Sequence, residues 1–341
     1  MIAKRIAYIG CGAVVERSHL PALALSEGFE ATLLVDTDRS RLQELQSRYP
    51  SVSTTDDYRS SLDKFDIAVV ATPAVSHFKI GMELLKAGKH VLMEKPLAVN
   101  AGQANSLCEL ANRKNLLLAV SLVRRYLPHF KLFRSLLQSS IVGELERFEI
   151  EEGGIFNWPV QSIGFFDSKR FGGGVLMDHG AHLLDICLWW FGDYTALEYS
   201  DDNQGGVEAD CRLDLKMQSG LHGSIIMSRL RNLNNNIRVV GKQGSLSMNL
   251  ATGEITLAPE SASLSLVGTP VEVMSTGAHS GANLSLSTVD LFKIQYAALR
   301  GAIDGVQDDA GKLVQAEDCL ASIALIEQCY ANRQPLPRPV W

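Results

Sequence analysis

Residues 69–99, VVATPAVSHFKIGMELLKAGKHVLMEKPLAV, decide the fold. The stretch opens on apolar residues of strand type and breaks at Thr72-Pro73. A helical pattern follows from about His77 to Ala87 and turns at Gly88, and a second apolar run, residues 90–93, delivers Glu94-Lys95-Pro96. Two buried parallel strands joined by a helix read this way. Each strand ends in a polar or proline-bearing loop on the same edge of the sheet, where open α/β sheets hold their ligands. Lys95, at the second strand end, is the candidate for chemistry. The competing reading is a surface lysine paired with Glu94.

Upstream, residues 5–9 form a short apolar strand followed at once by Gly10-Cys11-Gly12. This begins a G-x-G-x-x-G pattern, whose small residues let backbone and helix N-terminus approach a pyrophosphate. Gly10, Gly12, Ala13 and Val14 are the expected cofactor residues of this turn, and Val15 stands at the third glycine position. The next strand, residues 31–35, ends in Asp36. An acid there accepts hydrogen bonds from the ribose hydroxyls and repels a 2′-phosphate, so NAD is expected over NADP. Asp38 suits the N-cap of a helix over Arg39–Arg48, which leaves Asp36 free. Arg39 and Arg41 keep NADP open as the alternative. Strand 65–72, a helix over Ala101–Lys114 and strand 116–120 continue the alternation. Residues 1–125 therefore read as a doubly wound parallel sheet of Rossmann type.

After Pro128 the pattern changes. A helix over 129–138 precedes a strand over 145–152, and Asp210–Met217 alternates apolar and charged residues with the period of a half-buried strand. Further strands over 221–229, 237–240, 245–249 and 254–258 are joined by short glycine-bearing connections, which implies antiparallel neighbours. Residues 126–341 are expected to form an α+β domain with a large open, mainly antiparallel sheet, serving substrate binding and oligomerisation. Two apolar-striped helices, over 286–302 and 316–332, and an extended proline-rich tail over 334–339 close the chain.

Between the first of these strands and the rest lies Gly172-Gly173-Gly174-Val175-Leu176-Met177-Asp178-His179-Gly180-Ala181-His182-Leu183-Leu184-Asp185. The glycines let the backbone approach something closely. Asp178, His182 and Asp185 follow at spacings of four and three, along one face of a largely apolar helix. Burying such groups unpaired is costly, so they are either satisfied core residues or a functional cluster. His179 reads as a core residue. No third ligand stands at a telling spacing, and no metal is expected.

At 341 residues the chain is long for one core. Its 46% hydrophobic and 21% charged residues are ordinary for a globular protein, and a net charge of −6 offers no electrostatic reason for nucleic acid. No apolar run approaches the roughly 18 residues of a membrane span, and the N-terminus enters a strand without a signal-peptide pattern. The six cysteines, none in a C-x-x-C pair, read as buried or free thiols rather than disulfides or zinc ligands. A cytoplasmic protein is expected, with neither membrane nor nucleic acid as partner.

Together these stretches resemble the glucose-fructose oxidoreductase / inositol dehydrogenase (Gfo/Idh/MocA) family of NAD(P)-dependent enzymes, over essentially the whole chain. The match is carried by Gly10-Cys11-Gly12, by Thr72-Pro73 with His77, by Ala87-Gly88-Lys89-His90-Val91 running into Glu94-Lys95-Pro96, and by Gly174-x-x-x-Asp178-x-x-x-His182 with Asp185. Arg125-Tyr126-Leu127-Pro128 looks like the family's crossing into its second domain. Val15 and Ala74, where an Asn is common, depart from the pattern at the cofactor. The resemblance implies that Thr72, Pro73, His77 and Glu94 line the cofactor and that Lys95 lies beside the nicotinamide and the reacting hydroxyl. It implies further that Asp178 and His182 complete the catalytic group, that Arg125 and Tyr126 join them on the substrate, and that the protein is a homodimer or homotetramer.

The chemistry agrees. Oxidising a secondary alcohol needs hydride removal at carbon and proton removal at oxygen. His182, with a reference pKa near 6.5, is suited to take the proton. Asp178 would favour the imidazolium or orient the ring, and Lys95 would stabilise developing negative charge. Lys95 and His182 could exchange the base role. The leading expectation is an NAD(P)-dependent oxidoreductase acting on a secondary hydroxyl or keto group of a sugar, cyclitol or sugar derivative, nucleotide-linked ones included. Against it stand a non-catalytic NAD(P)-binding regulator of the same fold and a dehydrogenase of a non-sugar diol. Phe156, Trp158, Gln161, Lys169 and Arg170, within residues 153–171, are expected to read the substrate.

Overall fold

The computed structural model describes residues 3–157, 167, 171–260, 286–306 and 312–336. Trp158, Gln161, Lys169 and Arg170 lie outside the described residues. Strands β1 (Lys4–Ile9), β2 (Phe29–Val35), β3 (Ser53–Thr55), β4 (Ile67–Val70), β5 (His90–Met93) and β6 (Leu118–Val120) form a parallel sheet in the order β3-β2-β1-β4-β5-β6. Strand order reverses between β1 and β4, and ligands of such sheets bind outside the strand C-termini at that point. Gly10, Asp36, Thr72 and Lys95 all follow strand ends on this edge. Val69 pairs with Leu92 and Val70 with Met93, so the loops after β4 and β5 leave side by side. Every residue of β4 is buried, which is why it reads as an unbroken apolar run. The intervening helix is Ala74–Lys86, starting three residues before His77 because Pro73, held extended, sits directly at its N-cap.

Eight strands make the second sheet: β7 (Leu145–Gly153), β8 (Tyr194–Asp201), β9 (Asp210–Met217), β10 (His222–Ser228), β11 (Asn236–Gly241), β12 (Gly244–Asn249), β13 (Ile255–Pro259) and β14 (Arg333–Pro335). Their order is β13-β12-β11-β7-β10-β9-β8-β14. Neighbours are antiparallel except β7 with β10 and β8 with β14. Along β9, Cys211, Leu213, Leu215 and Met217 are buried while Arg212 and Lys216 face out. The buried face shares a core with Phe130 and Phe133 of helix Pro128–Gln138 and with Leu183, Ile186 and Cys187 of helix Ala181–Phe191. β8, β14 and the short β3 carry no clean apolar period, and their sequences do not announce them.

The first core recruits residues from far along the chain. Leu291, Phe292, Tyr296 and Leu299, on helix Thr288–Asp304, pack into it together with Leu313, Val314 and Ile323. Ala119 of β6 is bridged to Gln315. The parallel sheet is therefore covered in part by the chain's C-terminal third.

Candidate active site

Gly10 adopts a φ of +86°, and a Cβ there would lie 2.7 Å from the carbonyl carbon of Ala71. Only glycine allows β1 to turn so close to the end of β4. A Cβ on Gly12 would meet nothing within 4 Å among the described residues, so the space in front of the turn is open. Ala13 is buried and Val14 half-buried behind it. At Val15 the chain enters a π-helical turn, Val15–His19, a distortion frequent at functional sites. Asp36 accepts the N–H of Cys11 at 2.8 Å and that of Asp38 at 2.9 Å, fixing its carboxylate beside the glycine turn. Asp38 caps Arg39–Arg48, as its position suggested. Arg39 is paired with Asp56. The buried Arg41 donates to the Cys11 carbonyl and pairs with Glu16 and Glu44. Both arginines thus already have anionic partners of their own.

His77 and Glu94 turn inward instead of lining the cofactor with free polar atoms. The ring nitrogens of His77 lie 2.8 Å from the carbonyl oxygens of Pro96 and Thr72, stapling the two loops together. Thr72 Oγ1 is 2.7 Å from Ser76 Oγ. Glu94 is buried against His19, its Oε1 2.9 Å from Nε2. Nδ1 of His19 lies 2.8 Å from the hydroxyl of Tyr296, which lies 2.9 Å from that of Tyr8. Burial alone would raise the Glu94 carboxyl, but the bond to His19 keeps it below its ordinary value. Sequence inspection missed His19; its only signal is its place on the turn after Gly12.

Lys95 does reach the second half. Its Nζ donates to Oδ1 of Asp178 and, at 3.1 Å, to the Asp178 carbonyl. Asp178 sits on a second π-helical turn, Leu176–Gly180, which runs into helix Ala181–Phe191. Arg229, just beyond β10, donates to the other carboxylate oxygen. Burial alone would raise the Asp178 carboxyl, yet Lys95 and Arg229 hold it far below the usual carboxylate range. The expectation that Asp178 serves His182 is therefore corrected: its oxygens belong to Lys95 and Arg229. Arg229 was not foreseen, although a basic residue closing the apolar run of β10 is a recognisable signal.

His182 has its Nδ1 buried without a hydrogen-bond partner. Burial, then the nearby charges of Lys95 and Arg124, push its pKa well below 6.5, so the ring is neutral at pH 7. His179 lies between two carboxylates, Nδ1 3.8 Å from Glu152 and Nε2 3.8 Å from Asp178. Glu152 in turn accepts two bonds from Arg124, at 2.6 and 2.5 Å.

Arg125 and Tyr126, expected on the substrate, hold the chain together instead. Arg125 grips the buried Asp185 with two bonds, at 2.8 and 2.7 Å, and donates to the Asp318 carbonyl at 3.0 Å. The Tyr126 hydroxyl accepts the N–H of Val314 at 3.4 Å. Asp178 and Asp185, which share a face in a regular helix, thus serve different partners once the π turn intervenes. The glycines before Asp178 also have an internal purpose. A Cβ on Gly174 would lie 1.9 Å from the Glu208 carbonyl oxygen. The Glu208 side chain accepts the N–H groups of Gly174 and Leu176 and the Tyr330 hydroxyl.

A glycine turn, an acid held beside it at the next strand end and an opposing sheet that sends an acid and an imidazole to the same edge are the features of a two-part dinucleotide-binding protein. The chain belongs to the Gfo/Idh/MocA oxidoreductase family: residues 4–122 match its model described as oxidoreductase family, NAD-binding Rossmann fold, and residues 130–247 match the GFO/IDH/MocA C-terminal domain. Residues 4–122 are thus an NAD-binding Rossmann domain. D-Glucoside 3-dehydrogenase of Escherichia coli (strain K12) is 29% identical over 191 residues, which are 55% of this chain and 54% of that protein. The chain thus spans about half the length of that relative. The dTDP-3,4-didehydro-2,6-dideoxy-alpha-D-glucose 3-reductase of Actinomadura kijaniata is 26% identical over 251 residues, 72% of this chain and 74% of that one. The WlbA dehydrogenase from Chromobacterium violaceum, solved with NADH and UDP-GlcNAcA, superposes with a TM-score of 0.81 at 19% identity, covering 97% of this chain and 94% of its own. That likeness shows the shared fold. Among the described residues no helix is long and apolar enough to cross a membrane.

Proposed function

We propose that this protein transfers a hydride between NAD and a secondary hydroxyl or keto group of a sugar or sugar derivative. The observation that carries the reading is the ion pair between Lys95 and Asp178, which brings side chains of the two sheets together at the edge where the dinucleotide binds. The nicotinamide, when bound, supplies the hydride acceptor. An ammonium has three N–H donors. Two of those of Lys95 go to Asp178, and the third is available to the substrate oxygen. There it stabilises the negative charge that develops as the proton leaves. His182, neutral at pH 7, accepts that proton. Asp178, permanently ionised between two cations, positions Lys95 and carries no proton. The sugar and nucleotide-sugar chemistry in the names of the relatives supports a carbohydrate substrate.

Asp36 beside the glycine turn, with Arg39 and Arg41 already paired, supports NAD over NADP. We also place the protein in the cytoplasm as a homodimer or homotetramer, with the polar outer face of the second sheet, bearing Arg147, Glu149, Arg212 and Lys216, as the surface available for subunit contact. NAD reduction over a carbohydrate panel tests the function, with wild type beside Lys95→Met. Turnover by wild type and its collapse in the variant are expected. Undiminished turnover in the variant would remove Lys95 from the mechanism, and NAD binding without turnover of any carbohydrate would favour a regulator.

A further inference from the structure

His179 is about one-third exposed at the site, between the carboxylates of Glu152 and Asp178. Its two nitrogens are not equivalent. Nδ1 is buried and has no hydrogen-bond partner, with Glu152 Oε1 3.8 Å away. Two bonds from the half-buried Arg124 hold that carboxylate in place. A neutral imidazole carries one N–H, and the buried nitrogen, which among the described residues only the Glu152 carboxylate can serve, is the one that keeps it. Nε2 is then left as an acceptor, 3.8 Å from Oδ2 of Asp178. The facing oxygen of each carboxylate is held by an arginine, Glu152 Oε1 by Arg124 and Asp178 Oδ2 by Arg229, so it is the burial of Nδ1 that sets the two nitrogens apart. Lys95 and His179 therefore flank one carboxylate from different elements, β5's end and the π turn. Hydroxyl groups on adjacent ring carbons suit such a pair. Burial lowers the His179 pKa against the opposing pull of Asp178 and Glu152, with Lys95 and Arg124 lowering it further, so the acceptor lone pair is present at pH 7.

We infer that His179 is a specificity-determining residue: oriented by Glu152, it accepts a hydrogen bond from the hydroxyl next to the one that is oxidised. Among sugar positions this favours those whose neighbouring carbon carries a free hydroxyl. The 3.8 Å gap to Glu152 closes when a substrate seats against the ring, since catalytic bonds are often long before the ligand arrives. This rests on the oxidoreductase reading above, and it gives His179 a role that its apolar sequence surroundings hide.

Two measurements test it. Nitrogen NMR of the imidazoles in the intact protein at neutral pH is expected to show His179 protonated at Nδ1, and Glu152→Gln to shift it toward a tautomer mixture. A dominant Nε2–H form in wild type overturns the inference without any substrate. With a sugar that is turned over, His179→Leu is expected to raise KM roughly 3–10-fold, the worth of one neutral hydrogen bond. Turnover should stay within about twofold, the mark of lost uniform binding. The analogue deoxygenated at the neighbouring carbon should be indifferent to the substitution, and His179→Gln, which keeps an acceptor, should recover part of the loss. Equal losses on sugar and deoxy analogue, or no loss on either, overturn it. Lys95→Met run in parallel separates the two claims: if it abolishes turnover while His179→Leu changes nothing, only the role of His179 falls. If Lys95→Met is fully active, the catalytic reading falls and the NMR tautomer judges His179 alone.

Discussion

Lys95 and Asp178 form an ion pair between the two halves of the chain, the ammonium just past the end of β5 in the parallel sheet and the carboxylate on the π turn of the second half. Neither half holds this site alone. Lys95→Met removes the donor that the proposed mechanism sets against the substrate oxygen, and loss of one such donor typically costs about 10²–10³ in turnover. NADH binding, followed by its fluorescence, should change far less. Equal damage to both would mean that Lys95 holds the cofactor and does no more.

Asp178 also depends on Arg229. Its pKa is depressed in the folded protein, so it contributes stability above the unfolded carboxyl value, about 3.9. That contribution is lost as pH falls through the folded value. Arg229→Met removes one of the two cations responsible, and the folded pKa rises. Acid unfolding followed by circular dichroism should then begin at a higher pH in the variant, with Arg229→Lys in between.

His182 carries a pH signature in activity. Burial and neighbouring cations keep it unprotonated well below pH 6.5. A base must be free of its proton, so kcat/KM should stay level through neutrality and fall only on the acid side, well below that pH. An acid limb centred at or above pH 6.5 would assign the loss to another group.

Asp36 should decide the cofactor. Its carboxylate is held by the N–H groups of Cys11 and Asp38 at the strand end where a Rossmann-bound dinucleotide is expected to bring its ribose hydroxyls. Asp36→Ser should lower kcat/KM for NAD about 10–100-fold, the worth of a hydrogen bond to a charged group. It should raise NADP use by relieving repulsion. Unchanged NADP kinetics would place the 2′-position away from this residue.

Arg125→Met strands Asp185, which is 1% exposed. Removing one partner of a buried pair costs about 3–5 kcal/mol. Burial already raises the Asp185 carboxyl, and the substitution raises it further. A group whose folded acid form is favoured loses stability as pH climbs past the unfolded value, so the penalty should be full at pH 7 and shrink below about pH 4. Urea unfolding at both pH values checks this, and the double variant Arg125→Met/Asp185→Leu should recover most of the loss.

Much of this architecture is legible in local pattern. The buried runs of β4 and β5, the alternation of β9, the glycine turn and the Asp38 cap depend on residues within a turn or a strand of one another. Their periodicity and side-chain chemistry therefore appear in the order of the letters. The amino-acid order also determined that a lysine, an acid and an imidazole would be available. Only the tertiary structure decided who pairs with whom. Lys95 meets Asp178 across 83 positions, His19 meets Glu94 across 75, Arg125 meets Asp185 across 60 and Gly174 meets Glu208 across 34. A buried charge takes whichever counter-charge the packed backbones bring within a few ångströms, and no local spacing encodes that choice. The same holds for β7, which pairs parallel with β10, His222 opposite Arg147, across a stretch of chain that no local pattern spans. Two π turns complete the difference, each shifting the helical register by an amount that a regular period does not contain.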